Sequence, residues 1–178
     1  MERLQEQYIK KVIPSLKQKF HFANVLAVPK IIKVVVNVGV GKIKEDKKKV
    51  DSVIADVAKI TGQAPVKTMA RKSISGFKVR ENQIVGVMVT LRGFRMYSFL
   101  DKLVNVALPR VRDFQGITAN FDGRGNYHLG LREHLVFPEM SAGALENIFG
   151  LEVSVITNAG KDEVARELLK ELGFPFKK

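Results

Sequence analysis

The chain has 178 residues, 46% of them hydrophobic, with 6 prolines and no cysteine. A chain of this length and composition buries a core as one globular domain, which excludes intrinsic disorder and, without cysteine, any disulfide or thiolate metal site. The 30 Lys and Arg residues outnumber the 18 Asp and Glu residues, and the formal charge of +12 favours polyanionic partners, most often nucleic acid, over the alternative of a merely basic protein.

Hydrophobic periodicity predicts an alternation of helices and strands. In chain order these are a helix at residues 1–20, a strand at 31–40, a helix at 47–61, an extended segment at 65–69, a strand at 84–91, a helix at 95–108, a strand at 127–133, a short helix at 141–148, a strand at 151–157 and a helix at 162–172. Pro14 has no backbone N–H, so we expect the first helix in two pieces. Gly62 stands where a helix cap belongs.

Two of the strands are apolar on alternate residues only. In the first strand the even positions, starting at Ile32, are uniformly apolar, whereas the odd positions include Lys33 and Asn37. In the strand at 84–91 the odd positions are apolar, and Thr90 is an even one. Strands of a doubly covered parallel sheet would be apolar on both faces. We therefore expect an α+β fold in which an antiparallel or mixed sheet has helices packed on one face.

The other face of this sheet, the open face, is predicted to carry Lys33, Asn37 and Thr90, with Arg92 at the strand end. A cation, an amide and a hydroxyl suit the phosphates, 2′-hydroxyls and base edges of RNA. From the alternation alone, an ordinary solvated sheet face is an equally good interpretation.

An acid-free segment, PVKTMARKSISGFKVR at residues 65–80, carries the cations Lys67, Arg71, Lys72, Lys78 and Arg80. Like charges repel, so we expect the basic loop, at about residues 70–83, to be mobile until phosphates neutralise it. Gly76 permits bending, and Phe77 offers an aromatic ring to a base, although Phe77 could instead pack against the body of the protein. A second basic run at 42–49 contains acids and is predicted to be a solvated helix start.

No pattern in the sequence predicts catalysis, a cofactor or a membrane segment. The stretch GVGK at 39–42 lacks the spacing of a phosphate-binding loop, and the glycines at 121–126 fit a turn better than a dinucleotide site. The 3 histidines lack the spacing of a metal site. Apolar runs are far shorter than the ~20 residues of a spanning helix, and the N-terminus lacks the apolar core of a secretory signal. We expect a cytoplasmic, non-enzymatic protein.

Several long stretches follow one another in a characteristic order: KIIKVVVNVGVG (30–41), ITGQAPVKTMARKSISGFKVRE (60–81), VTLRGFRMYSFLDKLVNVALPRVRDFQGI (89–117), FDGRGNYHLG (121–130), HLVFPE (134–139) and LLKELGFPF (168–176). Together they resemble the bacterial large-subunit ribosomal protein L-five family over essentially the whole chain. The resemblance implies a single domain, residues 1–178, with a helix-backed antiparallel sheet. It also implies a structural role in the large ribosomal subunit during translation.

The same resemblance implies partners and contact residues. The partners would be 5S ribosomal RNA in the central protuberance, 23S ribosomal RNA, transfer RNA in the peptidyl site, neighbouring proteins of the 5S particle and, across a subunit bridge, the small-subunit protein S-thirteen. The family's 5S-contacting polar residues fall on Asn37, Gln63 and Thr90, with Lys33 and Arg92 as neighbours. The family's transfer-RNA loop matches Arg71, Lys72, Ser73, Lys78 and Arg80.

The chain departs from the family pattern at Met69-Ala70, at Phe94, where an acid is usual, and in the segment 141–149, where a more acidic sequence is typical. The last departure concerns the residues expected to form the bridge. Two other functions stay open at this point. An RNA-dependent enzyme would need acidic or nucleophilic groups converging in a pocket, and a regulatory RNA-binding module would act outside the ribosome.

Overall fold

The computed structural model describes residues 2–41, 43, 46–140 and 148–177. Its α-helices are α1 (Arg3–Gln7), α2 (Ile13–Phe20), α3 (Lys47–Thr61), α4 (Gly93–Lys102) and α5 (Asp162–Glu171). Its strands are β1 (Ile31–Gly39), β2 (Val66–Met69), β3 (Ile84–Leu91), β4 (Tyr127–Leu131) and β5 (Leu151–Thr157). The predicted helix at 141–148 falls on residues 141–147, which lie outside the described part of the chain.

The five strands form one antiparallel sheet in the order β2-β3-β1-β5-β4. The central strand β1 pairs with β3 on one side and with β5 on the other, so that Val36 lies opposite both Val89 and Val153. Helices cover one face, as the one-sided alternation predicted. The expected α+β fold with a helix-backed antiparallel sheet is confirmed.

The core lies between the sheet and the helices. Each strand sends every second side chain into it, and the buried strand residues include Val34, Val36, Val38, Val87, Val89, Leu91, Tyr127, Leu129, Val153 and Val155. The helices contribute Leu4, Leu16, Val53, Val57, Leu100 and Leu168, among others. Burying one such Val or Leu side chain contributes roughly 1.5–3 kcal/mol, so the apolar strand face and the apolar helix stripes stabilise one another.

The helix α3 has the ends that the sequence predicted. Asp46 caps its start, because the Asp46 Oδ1 atom accepts a hydrogen bond from the Lys49 N–H at 3.2 Å. Gly62 adopts φ +66° at its end, and the Gly62 N–H donates to the Ala58 carbonyl at 2.8 Å. The last residues of the basic run, 46–49, therefore form a capped, solvated helix start.

The N-terminal helix is interrupted, but by a π-helical turn rather than by a break at Pro14. The turn spans Tyr8–Val12, and the Ile13 N–H donates to the carbonyl of Tyr8, five residues earlier. Pro14 then falls in the first turn of α2, where a missing N–H costs little. The π turn thus lets α1 and α2 follow each other with helical backbone throughout, and both supply apolar side chains to the core.

One residue of the predicted core is on the wrong side. Ile32 was expected to begin the apolar face of β1, yet its side chain is 42% exposed, whereas Ile31 is 5% exposed. The pairing of β1 with β5 shifts register between Ile31 and Lys33, which marks a β-bulge. Because a bulge adds one residue to one strand, the side chains before it face the opposite way from the simple alternation.

A glycine turn, FDGRGNY at 121–127, leads into β4 and lies against the start of α5. The carboxylate of Asp162 accepts hydrogen bonds from the Gly123 N–H at 3.1 Å and the Gly125 N–H at 2.8 Å. The hydroxyl of Thr157, at the end of β5, donates to the Gly125 carbonyl at 2.7 Å. The stretch is therefore a turn, as predicted, and it is fastened to two other elements.

The carboxylate of Asp122 holds the same turn from within. It accepts hydrogen bonds from the Asn126 side chain at 2.7 Å and from the Arg124 N–H at 2.8 Å. The Asn126 side-chain bond, followed by the backbone bonds, lowers the pKa of Asp122 to about 2. The turn therefore keeps its charged acceptor throughout the physiological pH range.

His134 is buried in the segment that follows β4. Its ring stacks on Phe149 with 3.9 Å between ring centroids, and the Phe149 N–H donates to the His134 Nδ1 atom at 3.4 Å. Burial lowers the pKa of His134 because the imidazolium would lose its hydration. The charges of Asp56 and Glu133 act in the opposite direction and are smaller. His134 is thus held neutral.

We expect the free energy of unfolding to fall as the pH drops below the ordinary His pKa of 6.5, because the unfolded chain takes up a proton that the folded His134 resists. Replacing His134 by Phe keeps an aromatic ring against Phe149 and removes this dependence. Urea unfolding at about pH 7.5 and pH 5.5 measures the difference. His21 and His128 are present in both proteins, so the comparison isolates His134. Parallel losses in the two proteins would contradict the prediction.

Candidate nucleic-acid interface

The structure brings the residues predicted for the open face together on one surface. Lys33, Asn37 and Thr90 are partly exposed on the side of the sheet opposite the core, and Arg92 follows β3 with an exposed side chain. Across the strands, Asn37 lies opposite Met88 and Thr90 lies opposite Val35. Directly opposite residues of antiparallel strands point to the same face, so these side chains form one continuous surface.

The open face has residues that the alternation of β1 and β3 did not reveal. Strand β5 adds Glu152 opposite Asn37 and Ser154 opposite Val35. Strand β4 adds His128, whose Nδ1 atom lies 3.0 Å from the Ser154 Oγ atom and 3.5 Å from the Glu152 Oε1 atom. The alternation within β5, with its odd-numbered residues buried, was the signal that could have found them.

These groups divide the open face into two halves with different chemistry. The half formed by β1 and β3 carries Lys33 and Arg92 at one end and the neutral polar groups of Asn37 and Thr90 along it. The half formed by β4 and β5 carries a carboxylate, Glu152. A polyanion is therefore attracted to the β1–β3 half and is repelled from the Glu152 side.

Gln63, which only the resemblance suggested, lies beside this basic end. It follows Gly62 after α3, and its Nε2 atom donates to the Thr90 carbonyl at 3.1 Å. Its Oε1 atom accepts from the Arg95 guanidinium at 3.4 Å. An amide nitrogen has two hydrogens, so one donor of Gln63 stays available for a ligand while the other ties α3 to β3.

The backbone of β3 approaches its neighbours closely at Gly86. A Cβ atom built on Gly86 would lie 2.6 Å from the Thr68 Oγ1 atom and 3.6 Å from the Asn37 Oδ1 atom. Gly39 lies directly opposite Gly86 in the sheet, and a Cβ atom on Gly39 would meet nothing within 4 Å. A side chain at position 86 would therefore collide with Thr68 and come close to Asn37 on the open face, whereas a side chain at position 39 would not.

The basic loop is a hydrogen-bonded extension of the β2–β3 hairpin. The Ala70 N–H donates to the Gln83 carbonyl and the Asn82 N–H to the Ala70 carbonyl, both at 2.9 Å. Further out, Ile74 and Val79 exchange backbone hydrogen bonds of 2.9 and 3.1 Å. The loop thus has a defined shape in this structure, and its expected mobility in the free protein remains a prediction.

The side chains of the basic loop point outward. Arg71, Lys72 and Lys78 are exposed, and Arg80 is exposed as well. Phe77 is 74% exposed, so the alternative in which its ring is buried against the body does not hold. Ser73, expected to contact transfer RNA, has an internal role, because its Oγ atom accepts from the Glu81 N–H at 2.9 Å. Its hydroxyl hydrogen can still be donated.

Lys67, at the base of this segment, is paired with a carboxylate of α3. Its Nζ atom lies 3.3 Å from the Asp51 carboxylate of α3, in an exposed ion pair. An exposed pair of this kind contributes little to stability, but the carboxylate reduces the attraction of Lys67 for phosphate. The charge that the basic loop presents therefore comes from residues 71–80.

Within the described residues, no group of three or more His, Cys, Asp or Glu side chains could hold a metal ion. Among the same residues, no helix combines the length and the apolar character needed to cross a membrane. The open face and the basic loop thus present charged and polar side chains to a ligand.

Comparison with known proteins identifies the family. Residues 24–80 match the family model of ribosomal protein L5, and residues 84–176 match the model of the C-terminal part of the same family. The chain belongs to the ribosomal protein L5 family. Members of this family are structural components of the ribosome and not enzymes, which agrees with the expected non-enzymatic role.

Relatives of the chain are similar over their whole length. The large ribosomal subunit protein uL5 of Halothermothrix orenii is 54% identical over 177 residues, covering 99% of both chains. The protein of the same name from Gloeothece citriformis is 53% identical over 178 residues, and that from Clostridium acetobutylicum is 52% identical over 175 residues. These matches cover 99% and 98% of this chain and 99% and 97% of the relatives. Their name places these relatives in the large ribosomal subunit.

Gly86 and Gly39 provide a matched pair of variants on the open face of this L5 family member. We expect Gly86→Ala to lower the free energy of unfolding by about 1–3 kcal/mol, because the new methyl group overlaps Thr68. Gly39→Ala should leave stability unchanged or raise it by up to about 1 kcal/mol, since the chain loses backbone freedom when unfolded and no atom is in the way. Denaturant unfolding of both variants measures the effect. Equal behaviour would show that Thr68 does not crowd Gly86.

Proposed function

We propose that this chain, a structural component of the large ribosomal subunit, binds 5S ribosomal RNA with the open face of its sheet and contacts peptidyl-site transfer RNA with its basic loop. The observation that carries the proposal is the grouping of Lys33, Asn37, Thr90 and Arg92 on the face opposite the core, with Gln63 at the same strand end. The open face, opposite the helices, thus presents a cation, an amide and a hydroxyl on one surface.

Several properties of the open face support RNA as its partner. Exposed amide and hydroxyl groups can pair with 2′-hydroxyls and base edges, while Lys33 and Arg92 attract phosphates. The strands that carry these groups are fixed by pairing on both sides of β1, so little conformational freedom is lost on binding. The Glu152 side of the sheet repels phosphate and so orients the RNA toward β1 and β3.

The basic loop supports a second contact. Residues 71–80 carry four cations and no carboxylate, and they extend beyond the strands β2 and β3. Exposed Arg and Lys side chains on such an extension can reach a phosphate backbone that the sheet does not touch. The exposed ring of Phe77 adds a surface for a sugar or an unstacked base.

Further partners belong to the proposal through the family resemblance. These are 23S ribosomal RNA, neighbouring proteins of the 5S particle and the small-subunit protein S-thirteen. The bridge to S-thirteen would involve the segment at 141–149, most of which lies outside the described residues. The proposal of a regulator acting outside the ribosome is less well supported, because the relatives carry the name of a large-subunit protein over the full chain.

The two surfaces should separate by mutation. We expect Asn37→Ala or Thr90→Val to weaken 5S RNA binding by about 1–3 kcal/mol, since each removes a polar group from the open face without opening a cavity.

Replacing the four loop cations together by Gln should leave most of the 5S affinity but speed dissociation of peptidyl-site transfer RNA. Filter retention of 5S RNA and transfer-RNA dissociation from purified ribosomes measure the two effects. The loop variant changes Arg71, Lys72, Lys78 and Arg80.

A charge-matched control removes the general effect of lost positive charge. It replaces four exposed cations away from both surfaces, Lys11, Lys17, Arg110 and Arg166, by Gln. This control should change transfer-RNA dissociation much less than the loop variant does. The division of labour is wrong if the loop variant loses 5S binding as severely as the open-face variants.

A further inference from the structure

Phe94, the second residue of α4, exposes an aromatic ring next to the basic end of the open face. Its side chain is 63% exposed, while Met96 and Tyr97, which follow on the same helix, are buried. A single exposed apolar residue is common on protein surfaces and by itself needs no partner. The surroundings of Phe94 are what distinguish it.

The ring stands at a shallow cleft of about 180 Å³ whose charged lining is entirely cationic. The lining charges are Lys59, Arg95 and Lys102. Lys59 is paired with Asp56 and Lys102 with Glu139. In the described part of the chain neither Arg95, which lines the cleft, nor the exposed Arg92, two residues before Phe94, forms an ion pair with a carboxylate, so both guanidinium groups keep their charge for a ligand.

The cleft is continuous with residues already proposed to bind RNA. Gly62 lines it, and Gln63 follows at once, with its Oε1 atom accepting from the Arg95 guanidinium at 3.4 Å. Its volume is below the ~300–1,000 Å³ of pockets that enclose a whole small molecule, so it suits one part of a larger ligand. A base lying on Phe94 would place its flanking phosphates near Arg92 and Arg95.

We propose that Phe94 stacks on an unpaired base of the RNA bound at the open face, with Arg92 and Arg95 contacting the adjacent phosphates. The inference rests on the proposed function and adds to it a preference for RNA in which a base is free to leave its stack. An aromatic ring flanked by cations matches a nucleotide, which joins an apolar base to an anionic backbone. An apolar protein partner would not use the two guanidinium charges.

A tryptophan at this position reports the contact directly. The chain contains no Trp, so Phe94→Trp gives a protein with a single indole. Adding 5S ribosomal RNA should quench the indole emission of this variant, because charge transfer to a stacked base returns the excited indole to its ground state without emission. A fully base-paired RNA duplex of similar length should leave the emission largely unchanged. Phe77→Trp, in the basic loop, is the matched exposed control and should stay unquenched by 5S RNA.

Affinity measurements test whether the aromatic ring contributes to binding. Phe94→Leu should weaken 5S RNA binding by about 5- to 150-fold, the effect of losing one base–aromatic stack. Phe94→Tyr should bind like the wild type, since it keeps the ring. Because the side chain is exposed, both variants should melt at the wild-type temperature, which separates a lost contact from a lost fold.

The possible outcomes distinguish this inference from the function on which it rests. If the wild-type protein fails to bind 5S RNA, the proposed function is wrong, and the stack with it. If the wild type binds, but Phe94→Leu binds equally well and the Phe94→Trp variant is not quenched, only the stack is wrong. If 5S RNA leaves the Phe94→Trp variant unquenched while another protein of the 5S particle changes its emission, Phe94 is a protein contact and the stack is likewise overturned.

Discussion

The pairing of β1 on both of its edges is the constraint on which the rest of the structure depends. The register that sets Val36 opposite Val89 also sets it opposite Val153. Since directly opposite residues share a face, one alternation along β1 determines which side chains of its neighbours enter the core. A slip by one residue would exchange the two faces and place Lys33 and Asn37 against the helices. The stability of the core therefore also fixes the orientation of the open-face groups.

Because the register of the sheet fixes their orientation, the side chains proposed to contact RNA need little support from neighbouring side chains. Thr90 and Asn37 are held by a backbone ladder and by the burial of the residues on either side of each. The start of β4 is held separately, because Asp162 and Thr157 form hydrogen bonds with the glycine turn that precedes it. The open face thus presents a largely preformed surface, and the basic loop extends from it between β2 and β3.

Patterns that repeat within one element were predictable from the sequence, and interactions between elements were not. The alternation of β1 and β3 indicated the sheet face, and Gly62 marked the end of α3. The outward turn of Ile32 depends on a bulge against β5, which single-strand alternation does not contain. The Ser73 hydroxyl accepts a hydrogen bond from the Glu81 N–H because the hairpin places these two residues across the loop from each other. Family resemblance suggested Gln63, but only the structure gives its bond to Thr90.

The edge strand β2 has a consequence for the protein before it is assembled. β2 has four residues, and in the described part of the chain its outer edge pairs with no strand. Val66 and Met69 are exposed there. Unpaired edges with apolar side chains promote strand addition between copies, and the short length of β2 and the charge of Lys67 only limit it. A copy fixed in a ribosome is kept apart from other copies, whereas surplus free copies can meet edge to edge. An excess of this chain over the ribosomal RNA with which it assembles therefore favours aggregation.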